Sequence, residues 1–509
     1  MDANVSLSCS ISSFINSGGL PWNLPGCRLG AQAGSPGAEC LRAALDIPVF
    51  RHKYPSSPLR MTRPCLHVFL AALFYAGAPE TRAHPLMAEP VNHPLVFTFD
   101  QFYLPVDPDE HLAGGGHLLL AELNCSACHA APDAWRPWLA PKPGPRLDGV
   151  GSRMDADMLW LFIRSPQHLK KGTQMPGLFS GAEGDEEKVE AVVEFLSAST
   201  WDAPQMPAGD AMRGRNLYHE TGCVACHEPA SDHRPANAPE DAELDRPGNA
   251  SVPVVLADVW HQDALAAFLH QPLAFRPAGR MPDMLLTSQE AADIAAYLHL
   301  GRTQPGNALR AALQIPPQGI ERGRQVFHEM RCAACHEAPG SSRVTAPSSH
   351  PMRTLRLDQG CLAERQTSGI PRYDLNDLQK RALRLALISL QAGARPDHLA
   401  TPAQQTDWHM TRLNCYACHD RGHKGGPEDP RALYFTGTGS ATGLPGGSAH
   451  LPPSLDQAGA RLGREGLEKI LLGPRAHVSS HTRMPLFGAP QVRPLVDWLL
   501  ETDKGMPAR

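Results

Sequence analysis

The pattern Cys-x-x-Cys-His occurs four times in this chain of 509 residues, as CSACH at 125–129, CVACH at 223–227, CAACH at 332–336 and CYACH at 415–419. With 13 Cys and 24 His, random placement gives about 0.02 such matches, so chemistry fixes these residues. Any fold for the chain must present the same short turn four times. Paired C-x-x-C elements also build Cys₄ zinc sites, and a single one can be a dithiol redox centre. Neither requires His directly after the second Cys in every copy.

Covalent attachment of c-type haem does require it. Two thiols three residues apart add to the two vinyl groups of one porphyrin, and the adjacent His reaches the iron from the proximal side. The pattern assigns Cys125, Cys128, Cys223, Cys226, Cys332, Cys335, Cys415 and Cys418 to attachment. His129, His227, His336 and His419 become the proximal ligands of four covalently attached haem c groups. Cys9, Cys27, Cys40, Cys65 and Cys361 remain.

Haem attachment of this kind takes place outside the cytoplasm, and an export signal is legible from Met61 in MTRPCLHVFLAALFYAGAPETRA. Arg63 supplies the basic start, Leu66–Ala76 a short apolar run, and Thr81 and Ala83 the small residues before cleavage. The run is too short to span a bilayer. Residues 61–83 are expected to be a signal peptide and 1–60 a misplaced upstream start or a disordered extension. The mature chain then begins near His84, is periplasmic, and contains no membrane span. Residues 1–83 hold seven Lys/Arg and four Asp/Glu, so their removal shifts the formal charge from −5 to −8. No basic patch points to nucleic acid, and modest acidity suits a periplasmic protein that meets basic redox partners.

The motifs anchor an internal repeat. Nine residues before each first Cys stand Gly116, Gly214, Gly323 and Thr406, and five before stand Leu120, Tyr218, Phe327 and Met410. A small and a large apolar residue four apart share one helix face, and glycine there admits a close helix crossing. Downstream of each motif, a Pro- and Gly-rich stretch precedes apolar residues at helical spacing, over 186–199, 289–301, 377–390 and 490–501. LDGVGSRMDADMLWLFIRSP (147–166) also parallels LDQAGARLGREGLEKILLGP (455–474).

Helix, haem motif, loop and a second helix crossing the first resembles the small class-I cytochrome c domain. The resemblance implies a mainly α chain of four tandem domains, at 95–205, 206–304, 316–400 and 401–505, like the multihaem c-type cytochromes of bacteria. It also implies sixth ligands: Met175, Met281 and Met484, each followed by Pro and each ahead of the last helix, match the family's Met-Pro ligand. The third domain has Ile370-Pro371 at that place. Its iron is expected to lack the Met-Pro ligand and to take Cys361, His350, Met352, a neighbouring domain's ligand, or none. Two functions compete: a four-haem conduit between periplasmic redox proteins, and a haem oxidoreductase, peroxidase-like or acting on small sulfur or nitrogen oxyanions, with the third haem as centre. A weaker possibility is a subunit docked on a larger dehydrogenase or oxidoreductase complex.

Overall fold

The computed structural model describes residues 91–507 except 302–315, 345–349, 394–396, 436–450, 474–482, most of 236–255, and positions 203, 280, 357 and 366. The upstream segment 1–60 and the signal segment 61–83 lie outside the described residues. Helices dominate, and among the described residues β structure is confined to a two-stranded hairpin, Asp420–Arg421 with Lys424–Gly425, and isolated bridges. Among the described residues, no helix is long and apolar enough to cross a membrane.

Eight helices carry the motifs and close over them. They are α1 (Asp109–Glu122), α2 (Asp185–Ser197), α3 (Ala211–Glu220), α4 (Ser288–Leu298), α5 (Pro317–Glu329), α6 (Asp377–Gln391), α7 (Pro402–Arg412) and α8 (Ala489–Thr502). Local chemistry starts several of them. Thr287 and Glu290 form a reciprocal capping box on α4, as do Asn376 and Gln379 on α6 and Thr401 and Gln404 on α7. The Asp210 carboxylate accepts from the N–H groups of Met212 and Arg213 at the start of α3.

The helices α1, α3, α5 and α7 lead into the four motifs. Two residues separate each helix from its motif, and the second of them turns left-handed: Asn124 (φ 60°), Gly222 (φ 107°), Arg331 (φ 57°) and Asn414 (φ 56°). Gly and Asn are the usual residues for such a helix end. Arg331 holds it at a steric cost of about 1–2 kcal/mol.

Helix pairing departs from the expected order of domains. Within 206–304 and 401–505 the closing helix packs on its own leading helix, α4 on α3 and α8 on α7. For the other two motifs the closing helices are exchanged: α6 packs on α1, and α2 packs on α5. A side chain at Gly116 of α1 would collide with the Ala382 carbonyl of α6, and one at Gly323 of α5 with the Ala191 carbonyl of α2. In the unexchanged pair α3–α4, Gly214 meets Asp293 in the same way. Thr406 takes the equivalent place on α7, where its hydroxyl meets that of Thr502, 2.8 Å away.

The apolar cores follow the exchange. Leu118, Leu119 and Leu120 of α1 are buried with Ala382, Leu383, Ala386 and Leu387 of α6. Val189, Val192 and Phe195 of α2 are buried with Val326 and Phe327 of α5, the two Phe rings meeting edge-on at 5.6 Å. The boundaries 95–205 and 316–400 are therefore corrected: the first and third motifs are each enclosed by two stretches of chain distant in sequence. Each amphipathic closing helix covers whichever small-residue crossing it meets, and both leading helices offer one.

Candidate functional site: four Cys-x-x-Cys-His turns

The same local geometry recurs four times. Each motif forms one 3-10 turn, at Cys125–Ala127, Cys223–Ala225, Cys332–Ala334 and Cys415–Ala417. The N–H of His129, His227, His336 and His419 donates to the carbonyl of its own first Cys at 2.9–3.0 Å. The Ala before each second Cys is buried, leaving no room for a larger side chain under the turn.

Each proximal histidine is oriented through its Nδ1. That atom lies 2.8 Å from the His350 carbonyl for His129, 2.8 Å from Val252 for His227, 2.8 Å from Pro145 for His336 and 2.7 Å from Pro453 for His419. Only a ring carrying its proton on Nδ1 can donate to a carbonyl, so Nε2 keeps its lone pair. An Nδ1–carbonyl bond that fixes tautomer and ring angle is what a metal-bound imidazole needs. Burial lowers the pKa of all four, His227 to about 4, which favours the neutral, ligating form. Burial likewise pushes the Cys125, Cys332 and Cys415 thiols up to about 12. All nine cysteines among the described residues are free of disulfides. Four pairs of thiols, each with one pre-oriented imidazole, fit covalent haem c at all four turns.

A second contact fixes three of the clamps. Two residues after the accepting carbonyl, Leu147 N–H donates to Glu337, Leu455 to Asp420 and Met352 to Ala130. Those three acceptors each directly follow a proximal histidine. This explains the parallel between 147–166 and 455–474: Gly151 passes against the Ser197 backbone as Gly459 passes against Leu499. Arg153 and Arg461 each donate to the carbonyl seven residues earlier, at 2.8 Å.

The clamps also follow the exchange. Pro145, from the stretch before α2, orients His336 of the third motif. His350, from the stretch before α6, orients His129 of the first. This corrects two of the proposed distal ligands. The His350 carbonyl lies against the first motif on its proximal side, and Met352 is a fully buried core residue beside Ala130. Cys361, on the turn Gly360–Leu362, is close enough to the thiols of Cys125 and Cys128 to interact with them electrostatically.

The Met-Pro segments meet in pairs. Gly177, two after Met175, forms an antiparallel bridge with Arg372, two after Ile370, through two 2.9 Å hydrogen bonds. Asp283, two after Met281, bridges in the same way with Leu486, two after Met484, at 2.8 Å. The first and third motifs thus form one pair and the second and fourth another, with equivalent loops facing in each.

The attachment turns themselves touch within each pair. Asn124 Nδ2 is 3.4 Å from Cys335 Sγ, and Asn414 Nδ2 is 3.4 Å from Cys226 Sγ. Arg431, buried, donates to the carbonyls of Val224 and His227 across the second pair. Two further interfaces join the pairs. Arg153 lies over the rings of Trp260 and Phe275, and Trp201 meets Phe275 edge-on. On the other side, Trp138 donates to Gln405 at 2.9 Å, and buried Glu122 pairs with both Lys142 and Arg412. These contacts link the surroundings of the four turns in sequence: first to third, third to second, second to fourth, and fourth back to first.

The repeated turn, the fixed imidazole tautomer and the helical enclosure fit the attachment of c-type haem. Residues 211–300, which run from the start of α3 past the end of α4, match the family model Cytochrome c. That match supports a c-type cytochrome with covalently bound haem and haem-based electron transfer. No curated protein and no solved structure matches the chain.

Proposed function

We propose that this chain is a tetrahaem c-type cytochrome, built from four class-I-like units, that relays electrons between periplasmic redox proteins. The observation that carries this reading is the contact between attachment turns, Asn124 to Cys335 and Asn414 to Cys226. Thioether sulfurs would lie at the porphyrin edges, so turns in contact would favour electron exchange between the haems they hold. When bound, each haem supplies a one-electron ferric–ferrous couple. The protein's own part is to hold the imidazole with Nε2 toward the iron, to exclude water, and to offer Met281 and Met484 as thioether ligands. A neutral sulfur donor favours ferrous iron and raises the potential.

Export by the segment 61–83 belongs to the same reading, since the attachment chemistry is extracytoplasmic. Partners would be soluble or complex-bound redox proteins meeting an acidic surface. The test is redox titration of the purified exported protein, followed by mixing with a reductant and a second c-type cytochrome as acceptor. Four one-electron steps, with electrons from one reductant reaching all haems before the acceptor oxidises them, are expected. Haems that are reduced and reoxidised independently would reject a relay.

A further inference from the structure

The unexchanged halves of the molecule supply a rule. On α3 and on α7, the clamp carbonyl, the Met-Pro segment and the closing helix arrive in that order from one stretch of chain, and all serve the motif that the leading helix introduces. In the second motif, Val252 clamps His227, Met281 follows, and α4 closes on α3. In the fourth, Pro453 clamps His419, Met484 follows, and α8 closes on α7.

Applied to the exchanged halves, the rule reassigns the sixth ligands. Stretch 145–197 begins by clamping His336 through Pro145 and ends as α2 packed on α5. Met175 lies between those two anchors, its carbonyl held at 3.0 Å by Gln167 of the same stretch. Stretch 350–391 begins by clamping His129 through His350 and ends as α6 packed on α1. Between its anchors stands Ile370-Pro371, which precedes the bridge residue Arg372 just as Met175-Pro176 precedes its partner Gly177. Tyr373 fixes that segment to the first motif by donating to the Leu123 carbonyl at 2.9 Å, and Gln379 donates to Pro94 at 2.9 Å.

We infer that Met175 is the thioether ligand of the iron held by His336, and that the iron held by His129 is the one no thioether reaches. It keeps a coordination position for a small exogenous ligand such as carbon monoxide or cyanide. Isoleucine has no lone pair to offer, and the His350 carbonyl and the Met352 N–H are bonded beside His129 on its proximal side. The first motif, not the third, is then where haem oxidoreductase chemistry would have to start. This assignment rests on the four-haem reading.

The test uses the reduced holoprotein and its haem count. Wild type should bind one carbon monoxide per chain. Binding should persist in the variant carrying Cys332→Ala and Cys335→Ala and vanish in the one carrying Cys125→Ala and Cys128→Ala. Met175→Ala, with all attachment motifs intact, should raise it to two. If either double variant fails to fold, labelled methionine methyls replace it. The methyl signal lost in Met175→Leu should show contacts to the haem attached at Cys332 and Cys335. Binding that follows the third motif, or that methyl against the first haem, would overturn the exchange. A wild type that binds no carbon monoxide and shows a thiolate signal abolished by Cys361→Ala would overturn the open position. A wild-type haem count below four would fail the parent reading instead.

Discussion

The side-chain nitrogen of Asn124 lies 3.4 Å from the sulfur of Cys335, although 211 residues separate them in sequence. Asn414 and Cys226 repeat the relationship at the same distance. The twin heptads LNCSACH and LNCYACH share their Asn for two physical reasons: it adopts the left-handed helix end, and its amide reaches the neighbouring turn.

The two asparagines differ in what else they hold. Asn124 Nδ2 also donates to the Lys142 carbonyl at 2.9 Å, and its Oδ1 accepts from Lys142 N–H at 2.8 Å. Asn414 Oδ1 is buried without a partner. Asn124→Gly keeps the backbone angle and loses these bonds, each worth about 1 kcal/mol. It should lower the melting temperature more than Asn414→Gly does, with haem content unchanged. Equal shifts would refute this ranking.

The helix exchange predicts where damage spreads. Gly323→Ala forces α5 away from Ala191 and Phe195, an overpacking cost of typically 1–3 kcal/mol. Amide hydrogen exchange should then rise in α2, while α6 stays protected. Gly116→Ala should do the reverse, through the Ala382 carbonyl. Loosening of α6 by the Gly323 variant would mean that the helices pair within contiguous domains after all.

Acid should weaken the junction at the start of α2. Burial pushes the Asp185 carboxyl up, but the Ser368 hydroxyl and the N–H groups of Ala182, Gly181 and Ser180 outweigh it, so its pKa is lowered. A depressed folded pKa gives stability that is fully present above the unfolded value of about 3.9 and lost as pH falls through the folded value. Asp185→Asn should therefore flatten the decline of melting temperature below about pH 4. It should also loosen the 367–369 segment, which Ser368 ties to α2. An unchanged acid limb would show that this carboxylate is not the group responsible.

Much of this arrangement is legible in the sequence, and what is not has a physical cause. The four turns are legible because the haem attachment proposed for them tolerates no substitution of Cys or His. The crossing glycines follow from helix geometry: Gly116, Gly214 and Gly323 each meet a backbone carbonyl. The closing helices are located to within three residues at either end, because their apolar spacing is strong. Their partners are another matter. The apolar face of 377–390 fits over Gly116 as well as over Gly323, and no local signal distinguishes the two. The clamp residues are equally silent, since the histidines bond to backbone carbonyls that any residue carries. A hint lay in Pro145 and Pro453, which open the two most similar stretches and orient histidines in corresponding ways.

The mature N-terminus offers an independent check on export. Intact mass of protein recovered from the periplasm should place the start near His84. Peptides from 1–60 in that material would contradict cleavage after Ala83.

The central claim is that all four turns carry haem, and the most direct measurement is the covalent haem count. Intact mass of the denatured protein, with pyridine haemochrome absorbance per chain, should give four haems. Substituting both cysteines of any one motif should leave three. A wild-type count of three or fewer would contradict the account.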